Sequence, residues 1–254
     1  MAFTLPGNRI YHYCKLSTAI EHILPNNQLL LSPIKNTNDP RENKSFVFGA
    51  QWWQDDFNIG KMNELNQEIS NALRDDCKLM CFSEDYKHFW GYESSRMWAH
   101  YGDNHKGLCI ELDKEEFLKE NAGIIDPKLM RKINYYEFNI REPIIHKTVD
   151  HTLLKKMGMQ EYLREVFRPE HLEYLYFTKN KEWESEQELR LLHFSKNKAN
   201  EYCSIKKSIR NIFLGVDFHD SYLPAITALC PSIDISKLEY GDVRLIPLEV
   251  YKGK

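Results

Sequence analysis

Short segments of strand type interleave with short helical segments along the whole chain, and this pattern most constrains the fold. Arg9–Cys14 clusters aromatic and β-branched residues, which is typical of a strand. A helix is predicted over residues 17–24, because Leu16, Ile20 and Leu24 share one apolar face. The segments do not repeat as the regular strand–helix units of a Rossmann sheet, so the sequence predicts an α+β fold.

Further elements and the domain organisation follow from the same patterns. Strands are predicted over residues 29–31, 78–83, 107–112, 128–136, 187–194, 212–216 and 244–251, and helices over 61–76, 94–101, 149–167 and 221–229. Residues 36–42 are dense in turn-forming residues and are predicted to be a surface loop. Because 11 glycines and 10 prolines are spread thinly, no linker is evident. We therefore predict one domain over residues 1–254, with a mostly helical insertion at about 114–175.

Charge and composition restrict the location and the partners. The 34 basic residues are balanced by 37 acidic ones, so the chain as a whole has no basic bias toward nucleic acid. It has no apolar run of membrane-spanning length and no export signal at its start, so we expect a cytoplasmic protein without membrane contact. Its 6 cysteines do not form a paired metal-binding array, so reduced thiols and no structural zinc are expected.

Two short segments place reactive side chains on predicted strands. His12 lies between Tyr11 and Tyr13, and strand alternation puts it on the opposite face from both tyrosines. A lone strand histidine is more often an ordinary core or surface residue. Ser83 and Glu84 lie at the end of another predicted strand, where they could equally form a cap and a turn.

A third segment gathers His100, Tyr101, Asp103 and His105 within six positions. Imidazole and carboxylate groups suit several divalent metal ions, but the spacing matches no known metal geometry, so we predict no metal site. The two histidines could also serve as the acid and base of a nuclease or phosphodiesterase.

The fourth segment is the most specific, with charges packed around Trp183 ahead of an apolar strand. If that strand begins near Glu186, then Glu186, Glu188 and Arg190 share one face. Close like charges can raise the pKa of one carboxylate, whereas Arg190 opposes this by stabilising the anion. A solvated edge strand with an ion pair worth about 0–1 kcal/mol explains the same pattern, and the sequence leaves both interpretations open.

Taken together, these motifs resemble a bacterial family known as domain of unknown function 2971. The residues that carry the resemblance are Tyr11–Tyr13, Ile23–Leu24, Leu29–Ser32, Asn38–Glu42, Cys81–Glu84, Met97–Tyr101, His105–Gly107, Trp183, Glu186, Glu188 and Arg190. More distantly, the opening strand with its histidine, the helix and the short second strand resemble ADP-ribosyltransferases, including the RNA 2′-phosphotransferases. That resemblance implies split mixed or antiparallel sheets with flanking helices.

The distant resemblance also implies NAD as co-substrate and a set of site residues. It implies that His12 holds a ribose, that Tyr101, in preference to Tyr92, packs near the nicotinamide, and that Glu188 polarises the nicotinamide ribose, with Glu186 completing a Glu-x-Glu arrangement. The other residues assigned to NAD binding are Tyr13, Ser83, Trp98 and Arg190. No Ser-Thr-Ser run is present, and Ser83 is its nearest counterpart.

The expected function is therefore ADP-ribose transfer to a nucleic acid or protein, or NAD hydrolysis, by a toxin or anti-phage effector that needs an inhibitor. Breaking the nicotinamide–ribose bond passes through an oxocarbenium-like state, which a nearby carboxylate stabilises. The alternatives are a nuclease or phosphodiesterase that uses His100 and His105, or a non-catalytic nucleotide-sensing module.

Overall fold

A mixed sheet of ten strands forms the centre of the molecule in the computed structural model, which describes residues 7–46, 48–50, 59–137 and 148–253. The strands in chain order are β1 Arg9–Cys14, β2 Gln28–Pro33, β3 Gly49–Ala50, β4 Cys77–Glu84, β5 Leu108–Asp113, β6 Met130–Lys132, β7 Asn134–Tyr136, β8 Thr148–Val149, β9 Thr178–Asn180, β10 Glu188–Phe194, β11 Glu201–Ser204, β12 Ile209–Leu214, β13 Asp234–Tyr240 and β14 Leu245–Tyr251. β3 with β8 and β7 with β9 form two small separate pairs.

Helices flank the sheet and connect its strands. They are α1 Leu16–Thr18, α2 Leu24–Asn26, α3 Pro40–Asn43, α4 Ile59–Asp75, α5 Ser95–His100, α6 Lys114–Glu120, α7 His151–Met157, α8 Met159–Tyr162, α9 Arg168–Tyr176 and α10 Leu223–Leu229. A π turn over Ala19–Ile23 joins α1 to α2, so the first helical stretch runs past Pro25 and ends where Asn27 adopts a left-handed φ of 49°. A second π turn, Leu163–Phe167, joins α8 to α9.

The sheet splits at β4, and this split positions the site. On one side β4 pairs with β10 along its length, from Ser83 opposite Glu188 to Cys77 opposite Phe194. On the other side β1 pairs only with the last residues of β4, at Ser83 and Glu84, whereas β2 pairs near its start, at Lys78 and Leu79. Within the described ladders the middle of β4 therefore has no strand partner on that side.

Apolar side chains cover both faces of the sheet. Ile10 packs into a large cluster with the buried residues of β5 and β12, whereas Tyr11 and Tyr13 pack with Trp98 on the other face. A further apolar cluster joins α4 and α9 to β4 and β10. The alternation predicted for β1 is thus confirmed, because its successive side chains enter different clusters.

The predicted α+β class and the mixed sheet are confirmed, but several local predictions are wrong. Residues 36–42 are only in part a surface loop: Asn36 and Asn38 are exposed, but Asp39 caps α3 through Arg41 N–H, and both Asp39 and Glu42 are buried. Residues 128–136 form two short strands rather than one, and β11 and β13 were not predicted.

The region predicted as a mostly helical insertion contains α6 to α9 but also β6, β7 and β8, and residues 138–147 lie outside the described part. None of the described helices combines the length and apolar character needed to cross a membrane.

Candidate functional site

A cavity of about 510 Å³ occupies the split in the sheet. β1, β2 and β4 form three of its walls, and the end of α5 closes it with His100 and Tyr101. Its floor consists of Lys179, Glu186, Glu188 and Arg190. The split therefore brings residues from the first and last thirds of the chain to one concave site.

His12 fills part of the gap between β1 and β4. Its Nδ1 lies 3.2 Å from the carbonyl oxygen of Cys81 in the unpaired middle of β4. Because a carbonyl only accepts, Nδ1 carries the proton in the neutral ring, which leaves Nε2 as an acceptor. Burial lowers the pKa of His12 and so favours the neutral form. A neutral His12 is thus suited to accept a hydrogen bond from a ligand hydroxyl through Nε2.

We expect His12 to make folding stability depend on pH. Because its folded pKa lies below the unfolded value of about 6.5, its contribution is present above that pH and is lost as the pH falls below it. Between about pH 7.5 and about pH 5.5 the wild type should lose up to about 1.4 kcal/mol more stability than His12→Gln, since only one pH unit of that window lies below about 6.5. Urea unfolding at both pH values measures this difference.

The comparison with His12→Gln also isolates the histidine from other groups. Burial raises the pKa of Asp85 and of Glu111, and these carboxyls act in the opposite direction as the pH falls. They are present in both proteins, so their effect cancels in the difference. An equal pH response of the two proteins would contradict the assignment.

Arg190 is the centre of a buried ion-pair network. Its side chain is fully buried, and Nη1 donates to Glu42 Oε1 at 2.5 Å and to the carbonyl of Tyr176 at 2.6 Å. Nη2 donates to Glu42 Oε2 at 3.3 Å and to Glu188 Oε2 at 3.2 Å, and Nε donates to Glu188 Oε1 at 2.7 Å. These bonds use every N–H group of the guanidinium. The predicted contact of Arg190 with a cofactor therefore does not fit this geometry, which gives Arg190 a positioning role.

Lys179 continues the network toward the cavity. Its Nζ lies 2.7 Å from Glu188 Oε2 and 2.7 Å from Glu186 Oε2. The hydroxyl of Tyr101 donates to the other oxygen of Glu186, Oε1, at 2.7 Å. The chain of contacts thus runs from Glu42 in the interior to Tyr101 in the cavity wall.

The sequence predicted that Glu186 and Glu188 would share one strand face, but in the structure a bend in the backbone brings them together. β10 begins at Glu188, whereas Glu186 ends a 3₁₀ turn, Lys181–Glu186, so the two do not lie on one strand face. Gln187 between them adopts a left-handed φ of 45°, a conformation uncommon outside glycine. This bend lets both carboxylates meet on the single ammonium group of Lys179.

Electrostatics in the network favour the charged forms. Burial opposes ionisation of Glu188, but Arg190 and Lys179 outweigh it and hold the pKa of Glu188 well below its usual range. Burial likewise opposes the charge on Lys179, yet Glu188 and Glu186 raise the pKa of that group. For Glu188 the cations therefore prevail over the like-charge effect.

The remaining residues predicted to bind NAD differ in their access to the cavity. Trp98 is fully buried, and its Nε1 donates to the carbonyl of Tyr92 at 2.7 Å, so it is a core residue and not a stacking wall. Tyr13 lines the cavity, but its hydroxyl donates to the carbonyl of Gly91 at 2.6 Å. Ser83 is a buried residue of β4 that lies opposite Glu188 of β10. Its hydroxyl donates to the carbonyl of Glu186 at 3.3 Å.

The structure brings Tyr101 into the cavity and leaves Tyr92 outside it. Tyr101 is half-buried, and both burial and Glu186 raise its pKa, so its hydroxyl stays protonated and donating. Tyr92 is buried and stacks on Phe213 with ring centroids 4.0 Å apart. The choice of Tyr101 over Tyr92 therefore agrees with the geometry of the cavity.

The histidine cluster does not converge on one site. His100 lines the cavity, whereas the ring of His105 lies 6.4 Å from the ring of Trp98 and 6.4 Å from that of Tyr240. Asp103 and His105 both have left-handed φ angles, in the turn after α5. Among the residues described here, no group of three or more histidine, cysteine, aspartate or glutamate side chains could hold a metal ion.

Two members of the site were not selected from the sequence. Glu42 was assigned to a loop, although the Asp-Pro step before it is a helix-start signal, with proline in the first turn of α3. Lys179 is one of the charges near Trp183, and no local pattern indicated that it would bridge two carboxylates. Its burial on β9 depends on Glu186 and Glu188, which lie just before and at the start of β10.

Comparison with known proteins gives one match. Residues 97–191 match the model of a family described as "Protein of unknown function (DUF2971)", which is less than half of the chain. The matched range runs from α5 into β10 and includes Tyr101, Lys179, Glu186, Glu188 and Arg190, whereas His12 and Glu42 lie before it. Searches among curated proteins and solved structures found no match. The family match supports the resemblance of this chain to the DUF2971 family.

Proposed function

We propose that the cavity binds NAD and that the protein cleaves the bond between nicotinamide and ribose, either transferring ADP-ribose to a nucleic acid or protein or hydrolysing NAD. One observation carries this proposal: a buried network of carboxylates and cations faces a cavity that also holds His12 and Tyr101. We further propose that the enzyme acts as a toxin or anti-phage effector and that an inhibitor blocks its activity.

The charge of the network suits this reaction. Among the described residues of the network, three carboxylates, Glu42, Glu186 and Glu188, face two cations, Lys179 and Arg190, which gives it a surplus negative charge when all five are ionised. Positive charge develops on the ribose as the glycosidic bond breaks. A fixed negative field in a site of low dielectric stabilises that charge without reorganisation, so it lowers the barrier.

Cleavage of NAD in this way needs no reactant other than water or another acceptor. The bond from ribose C1′ to the pyridinium nitrogen breaks, and its electron pair leaves with nicotinamide, which becomes neutral. A lone pair of water or of the acceptor then bonds to C1′, and the acceptor releases a proton. Nε2 of His12 would accept a hydrogen bond from a ribose hydroxyl and so orient the sugar. The Tyr101 ring would line the nicotinamide pocket.

Nicotinamide release from NAD by the purified protein tests the proposal. Wild type should release nicotinamide alone or with added RNA, DNA or lysate, and dependence on one addition would identify the acceptor class. His12→Ala should lower the rate by roughly tenfold to a hundredfold, because it removes a positioning contact. His22→Ala is the matched control, since His22 is an exposed helix histidine outside the cavity, and it should keep the wild-type rate.

Two results would reject the proposal in favour of its alternatives. Cleavage of RNA or DNA without NAD, lost in His100→Ala, would indicate a nuclease or phosphodiesterase. Tight NAD binding without release under any of these conditions would indicate a nucleotide-sensing module.

A further inference from the structure

We infer that Glu186 is the carboxylate that contacts the reacting ribose and that Glu188 is an internal anchor that positions it through Lys179. This inference rests on the proposed function and assigns the two carboxylates different roles. It reverses the order that the Glu-x-Glu resemblance implies, in which Glu188 acts on the ribose.

Most of the acceptor capacity of Glu188 is already used within the protein. A carboxylate offers about four acceptor positions. Arg190 occupies two of those of Glu188 through Nε at 2.7 Å and Nη2 at 3.2 Å, and Lys179 occupies a third at 2.7 Å. Glu188 therefore has about one acceptor position left for a substrate hydroxyl, and Arg190 and Lys179 hold both of its oxygens in place.

Glu186 retains acceptor capacity and contacts Tyr101 in the cavity wall. It accepts one bond from Tyr101 and one from Lys179, which leaves about two positions of its carboxylate available. Tyr101 is half-exposed at the end of α5, so its contact places Glu186 beside the open part of the cavity. Lys179 ties this carboxylate to Glu188, whose other partner, Arg190, is immobilised by Glu42.

The two positions also differ in how they accommodate an amide. A glutamine at 186 can direct its oxygen to Lys179 and its NH₂ to the Tyr101 hydroxyl, which can turn to accept. A glutamine at 188 meets only donors on both sides, since Arg190 and Lys179 have no acceptor. The same substitution should therefore leave the fold intact at 186 and destabilise it at 188.

Glu186→Gln and Glu188→Gln, compared in three measurements, test the inference. Glu186→Gln should melt within about 2 °C of wild type, bind NAD with a Kd within about threefold, and release nicotinamide with a kcat lowered about a hundredfold. Glu188→Gln should melt at least about 6 °C lower. Failure of Glu188→Gln to fold would be the extreme form of this destabilisation. Tyr101→Phe then tests Glu186 separately: kcat should fall about tenfold with KM unchanged, because Glu186 loses a positioning contact.

Each of the other outcomes would overturn a defined part of the inference. Wild-type kcat in Glu186→Gln would overturn the role of Glu186, as would unaltered kcat in Tyr101→Phe. A wild-type melting temperature in Glu188→Gln, combined with a loss of kcat, would show that Glu188 itself serves the substrate. Absence of nicotinamide release by wild type would reject the proposed function together with the role of Glu186, and the melting comparison would then decide the anchor role of Glu188 alone.

Discussion

Arg190→Met is expected to destabilise the protein by about 3–5 kcal/mol, because it leaves Glu42 and Glu188 buried without their main counter-ion. Arg190 is 0% exposed and Glu42 is 1% exposed, so water cannot replace the lost partner. The methionine fills a similar volume, which separates the loss of charge from the loss of packing. For a chain of this size the change corresponds to a melting temperature lower by roughly 6–20 °C.

Chemical and thermal unfolding of the purified variant measure this effect. Lys35→Met is the matched control, because the Lys35–Asp75 pair has the same kind of contact at 2.7 Å but both side chains are exposed. That substitution should change stability by less than about 1 kcal/mol. Similar values for the two variants would show that the buried network does not stabilise the fold.

Trp98→Ala is expected to cost about 3–5 kcal/mol through the cavity it leaves in the core. Trp98 is fully buried, packs edge-on against Tyr13 with ring centroids 5.1 Å apart, and donates to the carbonyl of Tyr92. A Cβ at Gly102 would lie 2.5 Å from the indole, so the turn after α5 packs closely on this ring. Because α5 leads into Tyr101, the loss of Trp98 also loosens a wall of the cavity.

The free energy of unfolding again measures this effect, and Phe89→Ala is the control. Phe89 is an exposed aromatic residue, 53% accessible, and its removal should cost less than about 1 kcal/mol. A Trp98→Ala protein that melts like wild type yet no longer binds NAD would instead support the predicted role of Trp98 in NAD binding.

Local rules account for the parts of the fold that were predicted correctly. β1, β4, β5, α4 and α5 were located to within about two residues, because each depends on the period of its own apolar side chains. The same alternation predicted that His12 would face away from Tyr11 and Tyr13. The residue types of the charged segment before β10 also indicated a candidate site there.

Tertiary contacts decided the rest, since they join residues far apart in the chain. Arg190 and Glu42 are 148 positions apart, so no local pattern could show that this arginine is saturated or that Glu42 is buried. Because Gln187 adopts a left-handed conformation, Glu186 lies in the 3₁₀ turn before the strand and not on the strand itself. In that position its carboxylate contacts Lys179, a residue that the local pattern did not single out.

The class of the fold, the face on which His12 lies and the residue types of the candidate site could all be predicted from the sequence, because side-chain period and local charge are properties of neighbouring residues. Which of those residues can contact a ligand in the cavity follows from tertiary contacts. Burial and hydrogen-bond saturation depend on partners from distant parts of the chain, as Trp98 and Arg190 show.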